Sequence, residues 1–294
     1  MLRPWLELDG VEQRITEWSD AVDLDLVRLG TTADAEEIKD TAITQPLVVA
    51  LALVAFDELR RRITPPADAP VTGHSVGELA AAAMAGVLDV DEAVSLAAVR
   101  GGAMARACAL ESTGMAAVMG GVPEAVLDRL AKLDLTPANI NGAGQVVAAG
   151  PLAMVEKLAA EPPQDSKVIV LKVAGAFHTR YMSSAEDALR ERTRDLVVAD
   201  PGRPLLSNAD GSVVGSGSEM LRRLVAQVTR PVRWDLCMTG LADLGVTATV
   251  ELPPAGTLTG LVKRTLTGVT TLAMKSPADL DAVAELISEH EGSQ

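Results

Sequence analysis

Aromatic side chains are scarce: only 2% of the 294 residues are Phe, Trp or Tyr. A core must therefore be assembled from Ala, Val, Leu and Met, which suits helices packed closely on a sheet better than the aromatic-rich interior of a β-sandwich. Cysteine is nearly absent. Cys108 and Cys237 lie far apart without CxxC or Cys/His spacing, so neither a zinc site nor a disulfide framework is indicated, and both read as small core residues of a reducing compartment. Basic charge is in deficit, with 26 Lys and Arg against 40 Asp and Glu and a net charge of -14. General nucleic-acid binding needs a basic stripe facing the phosphates, so that class is set aside. The runs Arg60 to Arg62 and Arg222 to Arg223 read as solvated helix ends. Apolar runs are short: LVVALALVAF at 47–56 falls below the roughly 18 residues of a membrane span. The opening MLRPWLELDG lacks a basic region followed by an apolar stretch. The expectation is a cytoplasmic chain with no membrane, nucleic-acid or metal partner.

What is present is a series of helical periods divided by turn-rich punctuation at TPPADAP (64–70), EPPQDS (161–166), DPGRP (200–204) and ADGSVVGSGS (209–218). The alanine-rich stretch 78–86 reads as a helix, as does the run DVDEAVSLAAVRGGAMARACAL, with Asp89 or Asp91 as its cap. The block 114–174 has its own order. MAAVMGG reads as a strand and PEAVLDRLAKL as a helix opened by Pro123, with Val126, Leu127, Leu130 and Leu133 on one face. PANIN and QVVAAG follow as strands, PLAMVEKLAAE as a helix and KVIVLKVA as a last strand. That β-α-β-β-α-β order predicts a ferredoxin-like subdomain at 114–174, inserted into a larger α/β domain made of 1–113 and 175–294.

The chemistry concentrates in VTGHSVGELAAAAMAG. Gly73-His74-Ser75-Val76-Gly77 matches the nucleophile-elbow pattern G-x-S-x-G. There a serine sits on a tight strand-to-helix turn, and residues two positions away on either side must be small. The helix after it turns its free N–H groups toward the serine, and the Val76 amide is a natural oxyanion donor. A plain helix cap flanked by glycines matches the same five residues. A serine hydroxyl needs a base, and histidine is the usual one. Of the three, His74 adjoins the serine on a turn where neighbouring side chains diverge, and His290 lies in the polar tail SEHEGSQ, expected to fray. His178 in VAGAFHTRYM is the candidate base, against a loop histidine satisfied by its surroundings. No Asp or Glu between Ser75 and His178 stands out as a buried third member, so something other than a carboxylate is expected to orient the imidazole. Arg100, followed by Gly101 and Gly102, could grip a carboxylate through two parallel hydrogen bonds, or it could be an ordinary ion-paired arginine.

Taken together, these pieces resemble the malonyl-CoA:acyl carrier protein transacylases of bacterial fatty acid synthesis, most closely the actinobacterial form. The resemblance runs from about Thr41 to Lys275, through TAITQPLVVA, GHSVGE, AVRGGAMA, NINGAGQVVAAG, AGAFHTRYM, AQVTRPVRW and ELPPAGTLTGLVKR. It implies an α/β-hydrolase-like large domain with a parallel sheet plus the inserted ferredoxin-like subdomain. It also implies Ser75 as acylated nucleophile, His178 as base, the main-chain carbonyl of Gln227 as the group orienting the imidazole, and Arg100 as a clamp for the malonyl carboxylate. Asn141 and Gln145 match residues near the pocket, and serve equally well as a turn asparagine and a strand-start glutamine. Phe177 in GAFH goes with malonyl rather than methylmalonyl in related acyltransferases. No permanently bound cofactor is implied: malonyl-CoA is a substrate, and phosphopantetheine is carried by the acyl carrier protein partner. A monomer is the expectation, although the sequence itself does not fix the oligomeric state. Lys172, Arg180, Arg230, Arg233, Lys263 and Arg264 are candidates for docking an acidic carrier. Two departures stand out. The family opens with a strand and a P-G-Q-G-S-Q-like loop whose glutamine is an oxyanion donor, whereas this sequence begins after that point and its only early glutamine, Gln13, lies in a helical pattern; a start placed too far downstream or a trimmed chain is expected. The family's V-G-P-G turn is here Leu252-Pro253-Pro254-Ala255, where a positive φ would be strained. A serine esterase or thioesterase, and a non-catalytic carrier-binding relative, remain as alternative readings.

Overall fold

The structure, a computed structural model, describes residues 1–291. Its largest sheet is built from β1 (Thr113–Gly120), β2 (Thr136–Gly142), β3 (Gln145–Pro151), β4 (Ser166–Val170) and β5 (Val232–Arg233), in the order β4-β1-β3-β2-β5. The first four pair antiparallel. β5 arrives from far along the chain and adds parallel to β2. Alternation along the strands gives the sheet two apolar faces. On one, Ala116, Val118 and Ala148 meet Val126 and Leu130 of the helix Pro123–Lys132 and Val155 and Leu158 of the helix Leu152–Ala160. On the other, Met115, Ala138, Val147 and Ala149 pack against Ala176 and Phe177. Two expectations need correction. Leu127 is 41% exposed, because it lies about 100° round the helix from Val126 and misses the sheet. The last strand stops at Val170 rather than Ala174.

The remainder is dominated by helices with small buried residues. The 20-residue helix Thr41–Arg60 packs along the helix Val90–Cys108, whose N-cap Asp89 accepts from the Asp91 amide. Gly101 makes that approach possible: a Cβ there would sit 2.5 Å from the Thr41 carbonyl oxygen. The space beside Gly101 therefore receives a neighbouring helix. The helix Thr41–Arg60 is longer than its apolar run suggests and passes a length-and-composition test for crossing a membrane, yet 67% of its most apolar window is buried inside the fold.

Parallel pairing occurs in two further places. Val71, just before the elbow, bridges Leu205, and β6 (Ala248–Glu251) pairs with β7 (Thr270–Ala273). None of residues 252–255 has a positive φ; the turn's positive value falls at Gly256, φ 132°. The strain expected at Leu252-Pro253-Pro254-Ala255 does not arise. Gln13 lies in the helix Val11–Val22 and bonds to Glu17. His290 belongs to the helix Leu280–Glu291 and bonds to the Thr247 hydroxyl at 2.8 Å, so the tail is helical that far rather than frayed. Residues 292–294 of that tail lie outside the described residues.

Candidate active site

Ser75 sits where the chain turns from the Val71 bridge into the helix Gly77–Met84, with φ 53°, a left-handed conformation that costs an L-residue on the order of 1–2 kcal/mol. The turn is tight on one side only. A Cβ on Gly73 would lie 2.1 Å from the Gly77 carbonyl carbon and oxygen, whereas one on Gly77 would meet nothing within 4 Å. Asn208, fully buried, pins the turn from outside: its Oδ1 accepts the Ser75 amide at 2.8 Å and its Nδ2 donates to the Gly73 carbonyl at 2.8 Å. The Val76 N–H donates to no acceptor among the described residues.

His178, itself at φ 60°, reaches Ser75 from a loop held by the Thr179 hydroxyl on the Ala176 carbonyl and the Ala176 amide on Thr113 Oγ1. Its Nε2 lies 2.7 Å from Ser75 Oγ and its Nδ1 lies 2.8 Å from the Gln227 main-chain oxygen. A carbonyl can only accept, so Nδ1 carries the hydrogen and the Nε2 lone pair faces the serine hydroxyl. Burial, helped by the positive charge of Arg100, pushes the imidazole down to about 3. It is therefore neutral at pH 7, ready to take the hydroxyl proton. The group facing Nδ1 is a carbonyl, and no carboxylate bonds to this imidazole among the described residues.

Arg100 completes the cluster. It is 3% exposed; its Nη1 donates to Gln45 Oε1 at 2.5 Å and its Nη2 to Gln227 Oε1 at 2.9 Å and Ser75 Oγ at 3.3 Å. No carboxylate lies within ion-pair distance of it among the described residues. Burial lowers its pKa to about 10, opposed by the charge of Glu78, so it stays cationic at neutral pH. The ordinary ion-paired arginine is thus not what the structure contains.

The other candidates divide. Asn141, on β2, holds His74: Oδ1 lies 2.9 Å from His74 Nε2, and the same imidazole stands edge-on to Trp234 at 5.6 Å. Phe177 is half-buried beside His178, between the two main cores. Gln145 starts β3 opposite Met119 and makes no hydrogen bond to the serine cluster. Three contributors were not singled out from sequence: Gln45, Glu78 and Asn208. Gln45 and Glu78 stand inside TAITQPLVVA and GHSVGE, but a lone Gln or Glu in a helical pattern does not declare its burial. Of the docking candidates, Arg180 and Arg233 are ion-paired to Asp134 and Asp235. A cavity of about 440 Å³ lined by Arg14, Trp18, Phe56 and Arg60 shares no residue with this cluster; chemistry, not volume, locates the site. Among the described residues no group of three or more His, Cys, Asp or Glu side chains could hold a metal ion.

Residues 12–291 match the acyl transferase domain family. The chain is 56% identical over 287 residues to the malonyl CoA-acyl carrier protein transacylase of Mycobacterium tuberculosis, covering 97% of this chain and 95% of that one. A crystal structure of MCAT from the same organism superposes with a TM-score of 0.93 at 55% identity, over 96% of this chain and 94% of that one. A type II PKS acyl-carrier protein in complex with its malonyl-transacylase matches with a TM-score of 0.90 at 28% identity, over 97% and 94% of the two chains.

Proposed function

Because the chain belongs to the acyl transferase domain family and groups there with the malonyl CoA-acyl carrier protein transacylases, we propose that it is an acyl-carrier-protein S-malonyltransferase of type II fatty acid biosynthesis. It moves malonyl from malonyl-CoA to holo acyl carrier protein through an ester on Ser75. In the first half-reaction Ser75 Oγ attacks the thioester carbonyl while its proton passes to His178 Nε2; the carbon–sulfur bond breaks and CoA leaves with that proton. In the second, the phosphopantetheine thiol gives its proton to His178 and attacks the ester carbonyl; the carbon–oxygen bond to Ser75 breaks, the malonyl group leaves on the thiol as a thioester, and Ser75 Oγ takes that proton back from His178. The unengaged Val76 amide, at the start of the helix Gly77–Met84, is the donor assigned to the oxyanion.

One observation carries the choice of acyl group: a buried guanidinium beside the nucleophile, held by two amide oxygens and, among the described residues, by no carboxylate. A malonyl group supplies the missing anion; an acetyl group does not. The same observation disfavours a simple esterase, which would use an acid partner for its histidine and an uncharged pocket. Arg100→Ala is expected to cut malonyl transfer by at least 30-fold, in line with roughly 2–5 kcal/mol for a buried charge pair losing one member, while acetyl transfer is spared or improved. Equal loss with both substrates would remove the clamp from the account.

The carrier protein is the proposed partner, met by Lys172, Arg230, Lys263 and Arg264, with Arg180 and Arg233 less available. No permanent cofactor is assigned, and Asn141, Gln145 and Phe177 are assigned to the walls of the malonyl site. A cytoplasmic monomer is the proposed state; the two free cysteines support the reducing compartment.

A further inference from the structure

Glu78 is 1% exposed and stands three residues beyond the nucleophile, yet no step of acyl transfer uses it. Both of its oxygens are engaged. Oε1 accepts the Asn208 main-chain N–H at 2.5 Å, and Oε2 accepts from the Gln227 side-chain amide. The first donor is fixed by the backbone. The second belongs to a primary amide that can be turned over, and its two ends face different things. Gln227 Nε2 also donates to the Ser75 carbonyl at 3.1 Å and to Asn208 Oδ1 at 3.4 Å, while Gln227 Oε1 accepts from Arg100 at 2.9 Å.

We propose that Glu78 is a positioning residue: its carboxylate fixes which way round the Gln227 amide lies, so that an oxygen and not an NH2 group faces Arg100 and the guanidinium is aimed at the acyl site. The inference rests on the malonyl-transfer reading. The two donors meet different oxygens of the carboxylate, whereas an amide at the same place offers an oxygen to one of them and an NH2 group to the other. In Glu78→Gln the immovable Asn208 N–H keeps the single oxygen and the new NH2 points at Gln227. The Gln227 amide then turns over and sets its own NH2 against Arg100. A protonated Glu78 creates the same conflict.

The charged and titratable groups facing Glu78 are Arg100 and Cys237. Burial pushes the thiol of Cys237 up to about 12, so it stays neutral. Burial pushes Glu78 up to about 7, against hydrogen bonds from Asn208, Ser207 and Gln227 and the charge of Arg100. Glu78 is therefore ionised above that pH and protonated below it. His178, held near 3, does not titrate in the same range.

The test uses the full chain and measures rates of Ser75 adduct formation by intact mass with malonyl-CoA and, separately, acetyl-CoA. The malonyl-to-acetyl ratio within one preparation does not depend on how much of it is folded. Glu78→Gln is expected to lower that ratio about tenfold, the size of one charge-assisted hydrogen bond reversed. Gln227→Met, which deletes the amide and keeps the main-chain carbonyl, should lower it as well. The double variant should show the ratio of Gln227→Met alone, because without the amide residue 78 no longer reaches Arg100. In the unaltered chain the ratio should fall as pH goes from about 8 to about 6. An unchanged ratio in Glu78→Gln, or effects that multiply in the double variant, overturns the inference. If Glu78→Gln forms no adduct with either thioester, the pH series decides alone, and a flat ratio overturns it. Absence of any malonyl adduct on the unaltered chain would remove the transfer reading and this inference together, whereas the other outcomes remove this inference only.

Discussion

At the scale of single residues, the site depends on one glycine far more than on the other. The elbow pattern places Gly73 and Gly77 symmetrically about Ser75, but only Gly73 faces backbone at 2.1 Å. Gly73→Ala is expected to displace the turn and lower the thermal midpoint by several degrees, while Gly77→Ala, at a helix start where alanine is favoured by up to about 1 kcal/mol, should leave the midpoint unchanged or raised. Thermal melts of the two variants check this; equal destabilisation would mean that both glycines are sterically required. The three side chains that the fold brings together, and to which the chemistry is assigned above, were legible in sequence as candidates because each belongs to a spaced motif: Ser75 in its elbow, His178 as the histidine left after setting aside its neighbour and the tail, Arg100 beside a glycine pair. The residues that hold them were not. Asn208 pins the elbow from 133 positions away, and Gln45 reaches Arg100 across 55. Such partners become visible only when the chain is folded, since no local period or turn pattern distinguishes a buried amide from an exposed one.

At the scale of elements, the helix Thr257–Thr265 illustrates a start that sequence rules miss. Its N-cap is Gly256, which has no side chain to offer. The cap comes instead from Glu251 at the end of β6, whose carboxylate accepts from the amides of Gly256, Leu258 and Thr259 at 2.8, 3.0 and 2.7 Å and from the Thr259 hydroxyl at 2.6 Å. Glu251→Ala should cost about 1.5–3 kcal/mol, the range for hydrogen bonds to a charged group. That would appear as a lower denaturation midpoint with the slope unchanged; a shift below roughly 0.5 kcal/mol would show that water replaces the carboxylate at little cost. By contrast the strands and helices of 113–170 were readable, since each carries its own alternation or helical stripe. The points of failure, Leu127 and the end of β4, lie at edges where a pattern continues after the partner surface has ended.

At the scale of the whole molecule, the block 113–160 contributes its own small apolar cluster around Ala116, Leu130 and Leu158, separate from the large one that runs through the helices. We propose that 114–174 is a distinct subdomain on this ground, with the serine on the larger body and Asn141 reaching across to His74. The excess of acidic charge, -14 in total, sets a constraint on the partner: an acidic carrier must meet a local basic face, and Lys172, Arg230, Lys263 and Arg264 have no acidic side chain within ion-pair distance among the described residues. Transfer from the loaded enzyme to carrier protein should slow several-fold as salt rises from about 0.05 to 0.5 M, because the Debye length shrinks across that range. A rate independent of salt would exclude an electrostatic docking face.

The measurement closest to the central claim is the mass of the intact chain after brief exposure to malonyl-CoA without carrier protein, followed by peptide mapping. One malonyl group per chain is expected, on Ser75, absent in Ser75→Ala, formed far more slowly in His178→Ala, and discharged when holo acyl carrier protein is added. No adduct, or an adduct on any other residue, would contradict it.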